Sequence, residues 1–147
     1  MSRVSELLRK TGEGEVAVYT IEQGKTVREA AQLLRKHNIG ALPVMDGKTL
    51  VGIISERDLT YRVLAEGVNL DEATVAQYMT FNPEFVSPFT DVMDCLNLMK
   101  GMNARHIPVL EKGKLVGIVS LRDVLNVILR DQTLLAEHLG EYFMNPR

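Results

Sequence analysis

Apolar residues in this chain fall into short blocks whose spacing switches between the helical and the strand period. Val27, Ala30, Ala31 and Leu34 recur at helical spacing behind Thr26-Val27-Arg28-Glu29, a capping box with Thr as the cap and Glu three residues on. Asn38 suits the left-handed residue that closes such a helix. Residues 42–45 then predict a short strand, Asp46-Gly47 a tight turn, and residues 50–54 a strand with no polar alternation. A strand of that kind is buried on both faces. A helix follows over about 55–66. Ahead of this block, residues 1–10 have the pattern of a short amphipathic helix, Thr11-Gly12-Glu13-Gly14 of a turn, and residues 16–21 of a first strand.

The block then returns with every position moved by 65 residues. Val27 falls on Val92, Leu33 on Leu98, Asn38 on Asn103, Pro43-Val44 on Pro108-Val109, and Leu64 on Leu129, with no gap. Both copies end in Gly-apolar-apolar-Ser-x-Arg-Asp, at Gly52–Asp58 and again at Gly117–Asp123. A register held this long means one folding unit used twice. In the second copy Val92, Cys95, Leu96 and Met99 form the apolar helix face, and Glu111-Lys112-Gly113 is the turn. Residues 71–79 predict a short connecting helix with Thr74 and Gln77 as a second capping box, and residues 121–143 a long or broken amphipathic helix.

Each repeat is therefore a β-α-β-β-α unit of about 65 residues, at the lower edge of independent stability. The fold class is α/β (α+β in stricter schemes), with two repeats packed through their sheets as a pseudo-two-fold pair. The expected divisions are an N-terminal helix and turn over 1–15, the repeats over 16–67 and 81–130, a connecting helix over 68–80 and a helical tail over 131–147.

Composition changes this picture little. The 147 residues are 46% hydrophobic and 24% charged, with a net charge of −2, so no basic footprint for nucleic acid is present at chain level. The apolar runs around 50–54 and 115–119 are too short to span a bilayer, and residues 1–10 lack the apolar core of a signal peptide. A single cysteine excludes an intrachain disulfide and fits a reducing compartment. The expected location is cytoplasmic.

Taken singly, Ser55-x-x-Asp58 and Ser120-x-x-Asp123 are capping boxes, with Asp favouring the positive helix end. Three features point further. A capping box prefers Glu or Gln, because the shorter Asp reaches the cap backbone poorly. Arg57 and Arg122 are kept between Ser and Asp, and a Gly ahead lets a group approach the strand closely. A helix N-terminus with a hydroxyl and an Arg holds an anion. The neighbouring carboxylate accepts the cis hydroxyls of a ribose, so the combination suits a nucleotide.

With these motifs the chain resembles the CBS-domain family in its tandem arrangement, the Bateman module, most closely its small stand-alone bacterial members. The resemblance spans about residues 16–129 and rests on Ile39-Gly40-Ala41-Leu42-Pro43-Val44, Tyr78-Met79-Thr80, Arg105-His106-Ile107-Pro108-Val109 and the two Gly-to-Asp motifs. It implies adenosine ligands such as AMP, ADP, ATP, NAD(H) or S-adenosylmethionine, and a crossed arrangement of two clefts. Site A would join Ser55, Arg57 and Asp58 to Thr80, Phe85, Ala104, Arg105, His106 and Pro108. Site B would join Ser120, Arg122 and Asp123 to Tyr19, Thr20, Ile39, Gly40, Ala41 and Pro43. Arg105-His106 stands where the first repeat has Gly40-Ala41, so site A is expected to carry the extra phosphate-binding charge. The resemblance further implies a homodimer of pairs, a possible protein target, and a regulatory role without a catalytic cofactor. The rival reading is an interaction adaptor whose repeats are scaffold only.

Other signals carry less. Gly24-Lys25-Thr26 and Gly47-Lys48-Thr49 lack the earlier glycine of a phosphate-binding loop and are turns. Cys95 sits on an apolar helix face and reads as a buried structural thiol. His37, His106 and His138 share no metal-ligand spacing. No nucleophile with its base and no paired carboxylates stand out, so no enzyme is expected. The methionines read as core filler except Met79, which the resemblance places at a cleft mouth.

Overall fold

The computed structural model describes residues 2–8 and 18–144, the last four as backbone only. Strand β1 (Ile21–Glu22) leads into helix α1 (Val27–His37), followed by β2 (Ala41–Asp46), β3 (Thr49–Ser55) and helix α2 (Glu56–Asp58). Helix α2 runs directly into a π-helical segment, Leu59–Leu64, in which the Ala65 N–H donates to the Thr60 carbonyl. A short helix α3 (Val75–Tyr78) and strand β4 (Thr80–Phe81) connect to α4 (Val92–Met102), β5 (His106–Glu111), β6 (Lys114–Ser120) and the 24-residue α5 (Leu121–Met144).

The local chemistry explains these boundaries. Thr26 Oγ1 accepts from the Glu29 N–H at 3.1 Å while the Glu29 carboxylate accepts from the Thr26 N–H at 2.9 Å, so the expected capping box is closed. Asn38 and Asn103 end α1 and α4 in the left-handed region, both at φ 51°. The face that α1 buries is Val27, Ala30 and Leu34; Ala31, expected there, is exposed. Both hairpins turn in two residues with different chemistry. Gly47 supplies a positive φ of 59° at the first turn position, whereas Lys112 and Gly113 are both positive, at 52° and 77°.

Sheet order in the first repeat is β1-β2-β3-β4, with β1 parallel to β2 and the others antiparallel. The first strand, expected over 16–21, is only Ile21–Glu22; residues 18–20 are irregular, and 16 and 17 lie outside the described residues with the expected turn at 11–14. The second repeat pairs β5 with β6, and its expected first strand shrinks to one parallel bridge, Val86 to Val109. That bridge stands 65 residues after Ile21 opposite Val44. Pairing stops there because Ser87 folds a turn, its N–H donating to Thr90 Oγ1 at 3.1 Å and its hydroxyl accepting from the Phe89 N–H at 3.2 Å.

The two cores exchange their leading segments. Val75 and Met79 pack with Leu42, Val44 and Ile54 in the first repeat's core. The chain start is a 3-10 turn, Val4–Leu7, rather than a longer helix, and Val4 packs with Cys95, Met99, Ile107 and Val119 in the second repeat's core. Backbone bonds repeat the exchange: the Val75 N–H donates to the Lys25 carbonyl at 2.8 Å, and the Val4 N–H to Thr90 at 2.9 Å. Thr90 lies 65 residues after Lys25. Each repeat is thus completed by a segment that precedes the other, and β3 contacts β6 between them.

Candidate functional site

Both Ser-x-Arg-Asp motifs sit where a strand becomes a helix, and β-pairing sets each beside the start of the preceding strand. Ser55 is paired with Ala41, and Ser120 with His106. The Glu56 N–H donates to the Gly40 carbonyl at 3.0 Å and the Leu121 N–H to the Arg105 carbonyl at 2.7 Å, so the helix starts are pinned to equivalent points.

The capping geometry corrects one expectation. Asp58 does reach the cap backbone: its Oδ2 accepts from the Ser55 N–H at 2.9 Å and from the Ser55 hydroxyl at 3.1 Å, while Ser55 Oγ accepts from the Asp58 N–H at 3.2 Å. In the second copy the return bond, Ser120 N–H to Asp123 Oδ2, is looser at 3.4 Å. Asp reaches here because the helix begins immediately at the strand end and draws the third residue back over the cap. Each carboxylate is thereby fixed at a helix N-terminus.

One contact across the repeats brings part of the site A group together. Arg57 Nη1 donates to the Asn103 carbonyl at 3.0 Å, carrying the first motif to the segment that holds Ala104 and Arg105. Thr80 is paired with Ile53 on the strand that ends in Ser55, and exposed Phe85 lies in the irregular segment beyond β4. Pro43 and Pro108 are buried inside the hairpins, opposite Ile53 and Ile118. Met79, set apart from the core in the sequence, is buried with it, and its side chain closes over Gly52.

The His106 ring, expected in site A, lies against Gly40 of the site B group and close to Glu56 of the first motif. A Cβ on Gly40 would stand 2.8 Å from His106 Nε2 and 3.3 Å from Glu56 Oε1, so the imidazole fills the notch that the glycine leaves. Burial pushes His106 below the usual histidine value of 6.5, opposed by the nearby Glu56 and Asp123 carboxylates and aided by Arg105. It is therefore neutral near pH 7, which leaves exposed Arg105 to supply charge to site A. Stability from keeping His106 neutral is full above the unfolded value of 6.5 and is lost as pH falls through the lower folded value. His106→Gln should flatten the dependence of unfolding temperature on pH between about 7.5 and 5. An unchanged slope would show that the ring is not buried in the Gly40 notch.

Tyr19 and Thr20 lie in the irregular stretch before β1, and Tyr19 stacks on His37, with centroids 3.6 Å apart and planes 12° apart. Ile39 and Ala41 flank Gly40, and Arg122 is exposed. Glu56, His37 and Asn103 stand beside these groups although none is expected there from the sequence. Only Asn103 is matched between copies, and it acts here through its carbonyl, which no residue type advertises. Cys95 is fully buried, which pushes its thiol up to about 11. Two surface grooves flank α1, neither lined by a Ser-x-Arg-Asp residue. One, of about 510 Å3, runs between β1 and α1 beside Thr20, Lys25 and Lys36; the other, of about 420 Å3, lies between α1 and the π-helical segment. Among the described residues no helix is long and apolar enough to cross a membrane.

Two like units, each with a strand-to-helix Ser-x-Arg-Asp motif and each completed by the other's leading segment, define a tandem-repeat α+β module. The CBS domain family matches residues 4–65 and 75–130, and the chain belongs to that family as a tandem pair. It is similar to the Agrobacterium tumefaciens CBS-domain containing protein ATU1752, with 33% identity and a TM-score of 0.76 over 86% of this chain and 98% of that one. The CBS domain pair of protein MJ0100, solved in complex with 5′-methylthioadenosine and S-adenosyl-L-methionine, is 26% identical, with a TM-score of 0.76 over 89% of this chain and 98% of that one. The Bacillus subtilis CBS domain-containing protein YhcV is 33% identical over 107 residues, 73% of this chain and 76% of its own length.

Proposed function

We propose that this CBS pair is a cytoplasmic regulatory module that binds adenosine ligands (AMP, ADP, ATP, NAD(H) or S-adenosylmethionine) in two clefts between its repeats. Binding shifts the relation between the repeats and passes the signal to a protein target. The carrying observation is Arg57, which spans from the first Ser-x-Arg-Asp motif to the Asn103 carbonyl of the other repeat. A ligand anchored at that motif therefore touches both units. In each motif Oδ2 of the Asp holds the cap, and Oδ1 is the oxygen that takes a ribose hydroxyl. The ligands of the related MJ0100 pair are of the same chemical class.

The exposed Arg105 makes site A the tighter site for phosphorylated ligands. Self-association into a homodimer is supported by apolar side chains left open on the helices, among them Tyr61 and Leu64, both 69% exposed, and Leu129, 59% exposed.

Thermal unfolding against AMP, ADP, ATP, NAD, NADH and S-adenosylmethionine, with GMP as control, tests this reading. A ligand at 100 times its Kd adds about 2.7 kcal/mol per site, or roughly 5–10 °C for a chain of this size. The shift should shrink in Asp58→Asn and in Asp123→Asn, with the larger loss of AMP affinity in Asp58→Asn. Equal losses would refute the ranking of the sites. No shift with any adenosine ligand, in protein free of co-purified nucleotide, would leave the adaptor as the better account.

A further inference from the structure

The site A group takes Asp58 from one element and Thr80 from another, and one side chain ties those two elements together. Arg62, four residues past Asp58, lies in the π-helical segment. Its Nη1 donates to the Tyr78 carbonyl at 2.8 Å and to the Met79 carbonyl at 3.1 Å, and its guanidinium stands 6.0 Å from the centre of the Tyr78 ring. One turn further on, Glu66 accepts from the Tyr78 hydroxyl at 3.0 Å. Tyr78 is the last residue of α3, Met79 its extended cap, and Thr80 the first residue of β4. A helix leaves its last carbonyls without partners in the helix, and a basic side chain is suited to take them.

The 65-residue offset separates what is general in this clasp from what is particular. Glu66 corresponds to Asp131, whose Oδ2 accepts from the Ser2 hydroxyl at 2.8 Å. In both repeats, then, a carboxylate on the helix after the motif holds the segment that completes that repeat. Arg62 corresponds to Val127, a core residue, and the chain there is the regular helix α5. The guanidinium and the π turn thus belong to the first repeat alone. Only there does the clasped segment run straight into a residue of a site group, Thr80. We propose that Arg62 is a positioning residue of site A: by fixing the Tyr78 and Met79 carbonyls to the helix that carries Asp58, it sets the separation of Asp58 from Thr80. A ligand seated between those two residues must match that separation. This rests on the proposal that site A binds an adenosine ligand.

Calorimetric titration with AMP in two backgrounds tests it. In Asp123→Asn protein, where site A alone remains, Arg62→Met keeps the side-chain stem and removes the donors, and should weaken AMP binding roughly 10-fold. In Asp58→Asn protein the same change should leave site B within about 2-fold. Asp131→Asn, which loosens the equivalent clasp of the second repeat, should leave site A within about 2-fold. Amide exchange reads the brace without ligand. In Arg62→Met the N–H groups of Met79 and Asn82, which donate to Val75 and Val51 at 2.8 and 3.0 Å, should lose protection while those of β5 and β6 keep theirs. Unchanged AMP binding at site A, equal losses at both sites, or Met79 and Asn82 amides as protected as in the parent would overturn the positioning role while the cleft reading stands. If Asp123→Asn protein binds no AMP, the reading of site A falls and the positioning role falls with it.

Discussion

Gly52→Val should cost about 3 kcal/mol, the upper end for an overpacked core, and lower the unfolding temperature by roughly 6–12 °C. Gly52 is buried on β3, directly opposite Phe81 of β4. A Cβ there would collide with the Met79 side chain and stand 2.9 Å from the Thr80 carbonyl. The methionine is flexible and can swing away. The carbonyl belongs to the backbone pairing of β3 with β4 and cannot yield without breaking it. The added bulk should therefore also shift Thr80, which pairs with Ile53 two positions before the Ser55 cap, and weaken ligand binding at the proposed site A. Gly101, in α4 with nothing within 4 Å of its Cβ position, is the control. Gly101→Ala should gain about 0.5–1 kcal/mol, as an unhindered helical glycine does. A Gly52→Val protein as stable as its parent would show that β4 does not lie against β3 at this point.

Val4→Asp should be as damaging, and it should act on the repeat that is distant in sequence. Val4 is fully buried in the second repeat's core, so an ionised carboxylate there has no partner and should cost about 3–5 kcal/mol. Its counterpart Val75 is fully buried in the first repeat's core. Amide exchange reads the exchange of segments directly. In Val4→Asp the amides of β5 and β6 should lose protection first, and in Val75→Asp those of β2 and β3. The opposite pattern would mean that each repeat is completed by the segment next to it in the chain. Because each proposed cleft draws on both repeats, either substitution should also reduce ligand binding at the two sites together.

The sequence by itself determined the repeat unit, the helix caps and the hairpins. These depend on residues a few positions apart, and the constant offset of 65 made each copy a check on the other. Even the two hairpins keep one register, although a glycine occupies the first turn position in one and the second in the other. Pattern could not reveal what contacts across the repeats decide. The first strand contracted to two residues in one copy and to a single bridge in the other, because a short parallel pairing depends on its neighbour rather than on its own period. The exchange of Val4 and Val75, the turn of His106 into the Gly40 notch and the stacking of Tyr19 on His37 join residues with no common spacing. The sequence identified the two Ser-x-Arg-Asp motifs. Only tertiary packing decided which side chains from the other repeat stand beside them, because that choice depends on the shapes that meet when two cores complete one another.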